Sequence, residues 1–128
     1  MLKYSKKGLE QRKQERECLK EFFKKHVTLI KEQKTKCAEC GQQLLGDVSE
    51  VAHRLPKSTF KSVQCDDNNV TYLCSWKSTN NCHSLYDGTN EQLQSLKIFI
   101  TEQQEIKNIL TKITEKYNYK LTDRWKID

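Results

Sequence analysis

The chain has 128 residues, 35% of them apolar, with a formal charge of +6. That length suits one domain and excludes two independent hydrophobic cores. The basic start has no apolar h-region, and nowhere do about eighteen apolar residues run together, so neither a signal peptide nor a membrane span is expected, and the reading is a soluble, intracellular (cytoplasmic) protein.

Residues 1–36 carry twelve Lys and Arg against five Glu, whereas residues 37–128 carry eleven against twelve acids. A basic segment of this kind is the electrostatic footprint expected for a nucleic-acid backbone; an anionic membrane surface or a solvated helix would share it. The first predicted element is one long helix from Lys6 to Gln33. It has no Pro and no Gly after Gly8, and Leu19, Phe22, Phe23, His26, Val27 and Ile30 recur at the spacing of one helical face. Its first half has almost no apolar face and should project into solvent or lie along a polyanion. Lys6, Lys7, Arg12, Lys13 and Arg16 are the candidate contacts to a DNA backbone there, the alternative being a Lys/Glu-rich helix that is merely soluble. His26 is read as a core residue.

A cysteine pair and two glycines in TKCAECGQQLLGDVSE signal a tight turn. An extended stretch, Val48–Leu55, follows and is ended by Pro56, the only proline. Val70–Cys74 should be its partner strand, after a polar loop longer than a hairpin needs. Beyond the insertion SWKSTNN, CHSLYDG has room for one or two helical turns stopped by Gly88. A second long helix is predicted from near Thr89, with Thr89 and Gln92 in capping-box arrangement. Leu93, Leu96, Phe99 or Ile100, Ile106, Leu110, Ile113 and Tyr117 mark its apolar stripe. In the tail, Tyr117, Tyr119 and Trp125 either stack on bases or pack back on the domain. The elements together describe an α+β fold.

Six cysteines in a reducing compartment favour thiolate ligation of a metal over disulfides. Cys37 and Cys40, two residues apart and followed by Gly41, can place both sulfurs on one tetrahedral ion, and the glycine can take the positive φ of such a knuckle. Cys74 and Cys82 complete a structural Zn²⁺ set, although seven residues separate them where two to four are usual. The alternatives are that these are ordinary buried cysteines, or that a histidine replaces one ligand. Cys18 is read as packing, and Cys65 has no evident partner.

The segments VAHRLPKS, DNNVTYLC and CHSLYDG, in that order and bracketed by the cysteine pairs, resemble the HNH (His-Me finger) endonuclease family. The resemblance covers roughly residues 37–88 and matches nothing in either long helix. It implies a small ββα-metal core with a zinc-binding knuckle; with the two long helices that the periodicity predicts on either side, the chain is organised as 1–36, 37–88 and 89–128 within one domain. It also implies a general-base role for His53, a loop-tying role for Asn69, and a catalytic metal on His83. The chemistry agrees: a neutral imidazole can take the proton of an attacking water, and one divalent ion, Mg²⁺ or another, can stabilise the phosphoryl charge and leaving oxygen.

Many family members place an Asp or a second His before the base histidine, where this chain has Ala52. Glu50, with Asp47 and Asp87 behind it, is the nearest substitute ligand, although strand alternation puts residue 50 on the side of Ala52. Arg54 and Lys57 flank the base and are candidates to hold the scissile phosphate, the alternative being solvated strand-end charges. The bland readings are a zinc ligand or a satisfied strand histidine for His53, and a replacement zinc ligand for His83. The expectation is a metal-dependent DNA endonuclease acting on duplex DNA, with a homodimer through the long helices as a possible assembly. Its rivals are a catalytically inactive zinc-stabilised nucleic-acid-binding module and a protein-interaction adaptor.

Overall fold

In a computed structural model the backbone is described for residues 6–117 and 123–125, and side chains for 7–113, 124 and 125. The helices are α1 (Lys6–Gln33), α2 (Cys82–Tyr86), α3 (Asn90–Gln94) and α4 (Phe99–Tyr117), and the strands are β1 (Val51–His53) and β2 (Val70–Tyr72). Short 3₁₀ turns cover Val48–Glu50, Lys61–Val63 and Asp123–Trp125. The architecture is a small α+β fold around one two-stranded antiparallel sheet.

On α1 the apolar face does what its spacing predicts. Phe22, His26 and Ile30, each four residues on, are buried, while most side chains from Lys7 to Glu17 are exposed. This face packs on β1 and on the turn before it. The strands pair Val51 with Tyr72, Ala52 with Thr71 and His53 with Val70. Three-residue strands are marginal alone, so their neighbours must hold them.

One neighbour is Glu50, which is fully buried. Its carboxylate accepts the N–H groups of Leu45 (2.9 Å), Gly46 (2.8 Å) and Asp47 (2.9 Å), so the 45–47 turn is wrapped around it. A carboxylate removed from water persists only with such donors. This corrects the expectation of Glu50 as a metal ligand: its oxygens are occupied by backbone.

The loop from Arg54 to Asn69 is packed rather than loose. Phe60 and Val63 are buried within it, and Asn69, also buried, accepts from Leu55 N–H at 2.7 Å and donates to the carbonyls of Leu55 (3.1 Å) and Val63 (3.2 Å). Cys65 in this loop is disulfide-bonded to Cys18 on α1, which corrects the reading of Cys18 as packing alone and of Cys65 as without a partner.

The capping box at Thr89 and Gln92 is present. The long helix expected from there is nevertheless broken at residues 95–98, because the Ile98 N–H at the start of α4 is taken by the Glu39 carboxylate at 3.0 Å. A carboxylate at a helix N-terminus satisfies an orphan donor and complements the dipole. Leu93, Leu96, Phe99 and Ile106 are buried and Ile100 is exposed. Trp125 packs back, stacked on Phe99 at 5.5 Å and edge-on to Tyr86 at 5.7 Å. The Tyr117 side chain and Tyr119 lie outside the described residues. Among the described residues, no helix is long and apolar enough to cross a membrane.

Replacing Glu50 by Ala leaves three buried N–H groups without an acceptor, so we expect a loss of about 3 kcal/mol in urea unfolding. A change under 1 kcal/mol, about the worth of one ordinary hydrogen bond, would show that the turn does not depend on this carboxylate.

Candidate functional site

Two chemical centres adjoin one another. The first is built by three separate pieces of chain. A narrow hairpin, bridged at Lys36 and Gln43, carries Cys37 and Cys40; its turn closes with Gly41 N–H donating to Cys37 O at 3.0 Å, and Gly41 takes the expected positive φ of +76°. The end of β2 brings Cys74, and the start of α2 brings Cys82. The four sulfurs lie within 4.8 Å of one another, a group that can hold a metal ion such as zinc. The Cys40–Cys74 separation of 3.7 Å is close to the edge of about 3.8 Å that a tetrahedron with bonds of about 2.3 Å requires. Backbone N–H groups of Cys40 and Cys82 point at the sulfurs of Cys37 and Cys74, at 3.5 and 3.3 Å. Such donors favour thiolate.

Burial pushes the Cys74 and Cys82 thiols up. It acts the same way on Cys40, but hydrogen bonds from Asn80, the Gln42 backbone and the neighbouring thiols outweigh it and bring that group down to about 7. A cation is the partner that lets such a set ionise together.

The second centre follows from the first, because His83 is the residue after Cys82. The cysteine that ends β2 accepts the His83 N–H at 3.0 Å on its carbonyl oxygen, fixing the first turn of α2. The His83 ring then meets Ser49 O at 2.7 Å through Nδ1 and Asp87 Oδ2 at 3.0 Å through Nε2. Asp87, four residues on, lies on the same helical face. Its hydrogen bond to the ring, assisted by the Ser49 carbonyl, raises the His83 pKa against the opposing effect of burial.

Across the cleft stands His53 at the end of β1. Its Nε2 meets Gln64 O at 2.7 Å, which places the ring proton on Nε2 and leaves Nδ1 as the imine nitrogen. The ring is clamped by α1, stacked on Phe22 at 5.0 Å and edge-on to Phe23 at 5.6 Å. Burial lowers its pKa, with Lys57 and the neighbouring His26 adding to that against the pull of the Gln64 carbonyl and of Asp87. The imidazole is therefore neutral at pH 7.

His53, His83, Asp87, Lys57 and Arg124 all line one cleft of about 700 Å³. The structure thus brings His53 and His83 together and puts Asn69 beneath them as the pin of the loop that offers Gln64 O. Lys57 lies at the rim, its ammonium 5.5 Å from the Phe23 ring centroid. Arg54 is placed elsewhere: Glu102 holds it at 2.6 Å, Glu105 stands at 3.8 Å and Asn68 O accepts at 2.9 Å. This corrects its expected role at the phosphate, since its charge is committed to α4. Lys7, Arg12, Lys13 and Arg16 are exposed on α1, away from these residues in sequence, and the Lys6 side chain lies outside the described residues.

Arg124 was not singled out in the sequence. It donates to Tyr86 O, while its buried Nε has no acceptor among the described residues. A tail arginine carries no local signal of where it returns. Asp87 had one, its i,i+4 relation to His83, although Glu50 lies nearer to His53 along the chain. His26, a core residue as expected, bonds Tyr72 Oη at 2.6 Å and Asp67 at 3.0 Å.

No family model matches the chain, and no curated protein or solved structure is significantly similar to it.

Protein purified under reducing conditions should contain one equivalent of metal by mass spectrometry, and Cys82→Ser should lose it together with the cooperative melting transition. Full metal content in Cys82→Ser would remove that residue from the ligand set.

Proposed function

We propose that this protein is a metal-dependent DNA endonuclease of the HNH type, with a structural zinc on Cys37, Cys40, Cys74 and Cys82. The observation that carries the reading is the pairing, in one cleft, of a neutral, carbonyl-oriented His53 with a His83–Asp87 pair poised for a cation. In this reading β1, β2 and α2 form the ββα-metal core, and the zinc welds α2 to the strands.

His83 and Asp87 fit a divalent ion on chemical grounds. With Nδ1 donating to Ser49 O, the other ring nitrogen offers a lone pair toward a carboxylate, and two acceptors at 3.0 Å need a proton or a cation between them. When bound, Mg²⁺ or another divalent ion supplies charge stabilisation to the phosphoryl group and the leaving 3′-oxygen.

The protein's own residues do the rest. His53 Nδ1 takes the proton of the attacking water, and the Gln64 carbonyl stabilises the imidazolium that results. Lys57 and Arg124 bring positive charge to the cleft wall, where a phosphate can be held. Asn69 is a positioning residue: by fixing Leu55 and Val63 it fixes the loop that bears Gln64 O. The basic face of α1 adds salt-sensitive, sequence-independent affinity for the DNA backbone.

Supercoiled plasmid should be nicked in Mg²⁺ or Mn²⁺, and His53→Ala should slow this by about 10²–10⁴-fold. Absence of nicking by the wild-type chain in either metal would refute the hydrolytic reading and leave a zinc-stabilised nucleic-acid-binding module, the reading that Ala52 favours.

The acidic limb of the rate profile provides a separate check. His53 works only when unprotonated, so the rate rises with pH through its pKa, which burial has lowered from the usual 6.5; the midpoint of the limb should lie below pH 6.5. A midpoint above 7 would assign the limb to another group.

A further inference from the structure

We infer that the loop between Cys74 and Cys82 carries a nucleobase subsite in which Trp76 stacks on one unpaired base next to the reacting phosphate. The inference rests on the reading of the adjoining cleft as a phosphodiester site and narrows its substrate to a strand that is locally unstacked.

The chain has two tryptophans, and they are treated in opposite ways. Trp125 is 2% exposed in the core, whereas Trp76 is 72% exposed on a loop otherwise made of polar residues. That loop is held at both ends by the cysteine cluster. Within it Ser75 is buried and accepts from Ser49 Oγ at 2.8 Å, Ser78 N–H returns to Ser75 O at 2.9 Å, and Lys77 is paired with Asp47 at 2.8 Å. Trp76 is therefore an exposed ring on a fixed support, which is what a stacking platform needs, since little freedom is left to lose on binding.

The ring also borders a recess. Trp76, Asn81, Ser84 and Ser75 line a space of about 280 Å³ whose other walls are Ser49, His83 and Asp87, and these last three also line the larger cleft. The two spaces thus share the wall that carries the proposed cation pair. A base seated in the recess would belong to a nucleotide adjoining the phosphate in the cleft. Asn81 and Ser84 offer amide and hydroxyl groups to its edge. Bases within a duplex are stacked on both faces, so only an unpaired or flipped base can lie against this ring.

The test is a fluorescence titration without added divalent metal, using a single-stranded thymidine oligonucleotide, an abasic strand with the same number of phosphates, and a blunt duplex. The buried Trp125 leaves Trp76 as the solvent-exposed emitter. We expect the thymidine strand to quench emission and to bind about tenfold more tightly than the abasic strand, with the duplex behaving like the abasic one. Trp76→Ala should abolish the quenching and, with affinities read from the anisotropy of dye-labelled strands, bring the thymidine-to-abasic affinity ratio close to one, and Trp76→Phe should restore most of that ratio. Equal quenching by abasic and base-bearing strands, quenching by no strand, or an unchanged ratio in Trp76→Ala would overturn the inference. Base-dependent quenching in a protein that nicks no plasmid would keep the subsite and reject hydrolysis; nicking without base-dependent quenching would reject the subsite alone.

Discussion

Four sulfur atoms drawn within 4.8 Å of one another join a hairpin, the end of a strand and the start of a helix. The two-stranded sheet has three residue pairs and cannot hold this arrangement by its ladder alone. The cluster sets where α2 begins, and His83 follows Cys82 directly, so the position of one ring in the cleft is tied to the geometry of the sulfurs. The same hairpin sends Glu39 to cap α4. The constraint therefore reaches both the proposed reactive centre and α4 in the C-terminal half. A small chain that buries limited apolar surface gains most from such a staple.

His53 is held by different means, and by three of them at once. The strand fixes its backbone, the Gln64 carbonyl fixes its tautomer, and Phe22 and Phe23 fix the plane of its ring. Each support comes from a different stretch of chain. α1 is consequently more than a basic arm, because the apolar residues that pack it on the sheet are the ones that clamp the imidazole. The disulfide between Cys18 and Cys65 joins the same helix to the residue after Gln64, so the clamp and the carbonyl are linked.

What the sequence made legible was local. The spacing on α1, the capping box at Thr89, the positive φ of Gly41 and the strands around His53 and Val70 all rest on residues within a few positions of one another, where periodicity and turn chemistry act. The break between α3 and α4 had no local sign, since neither Gly nor Pro stands at residues 95–98 and the cap arrives from Glu39, 59 positions away. Glu50 looked like a ligand because it is the acid nearest His53 along the chain; only the folded 45–47 turn shows its oxygens taken. Arg54 looked available for the same reason, and Glu102, on a helix 48 residues later, claims it. The return of Arg124 to the cleft and the meeting of Cys18 with Cys65 are likewise long-range events that no pattern along the chain encodes.

Ala52 is buried on the opposite face of the strand from His53, so the strand offers no carboxylate to a cation. The carboxylate stands instead on the helix, as Asp87, in register with His83. With a carbonyl on one nitrogen and a carboxylate on the other, the His83 ring requires one positive charge, and either a proton or a metal ion can provide it. A proton leaves the pair neutral overall and a divalent ion gives it a net positive charge, so the pair alone does not separate an enzyme from a binding surface. Under the proposed reading the distinction rests on His53, whose ring is half-buried against Phe22 and whose pKa burial lowers. A neutral imine nitrogen there would take a proton from water, a step that a surface binding polyanions alone does not need.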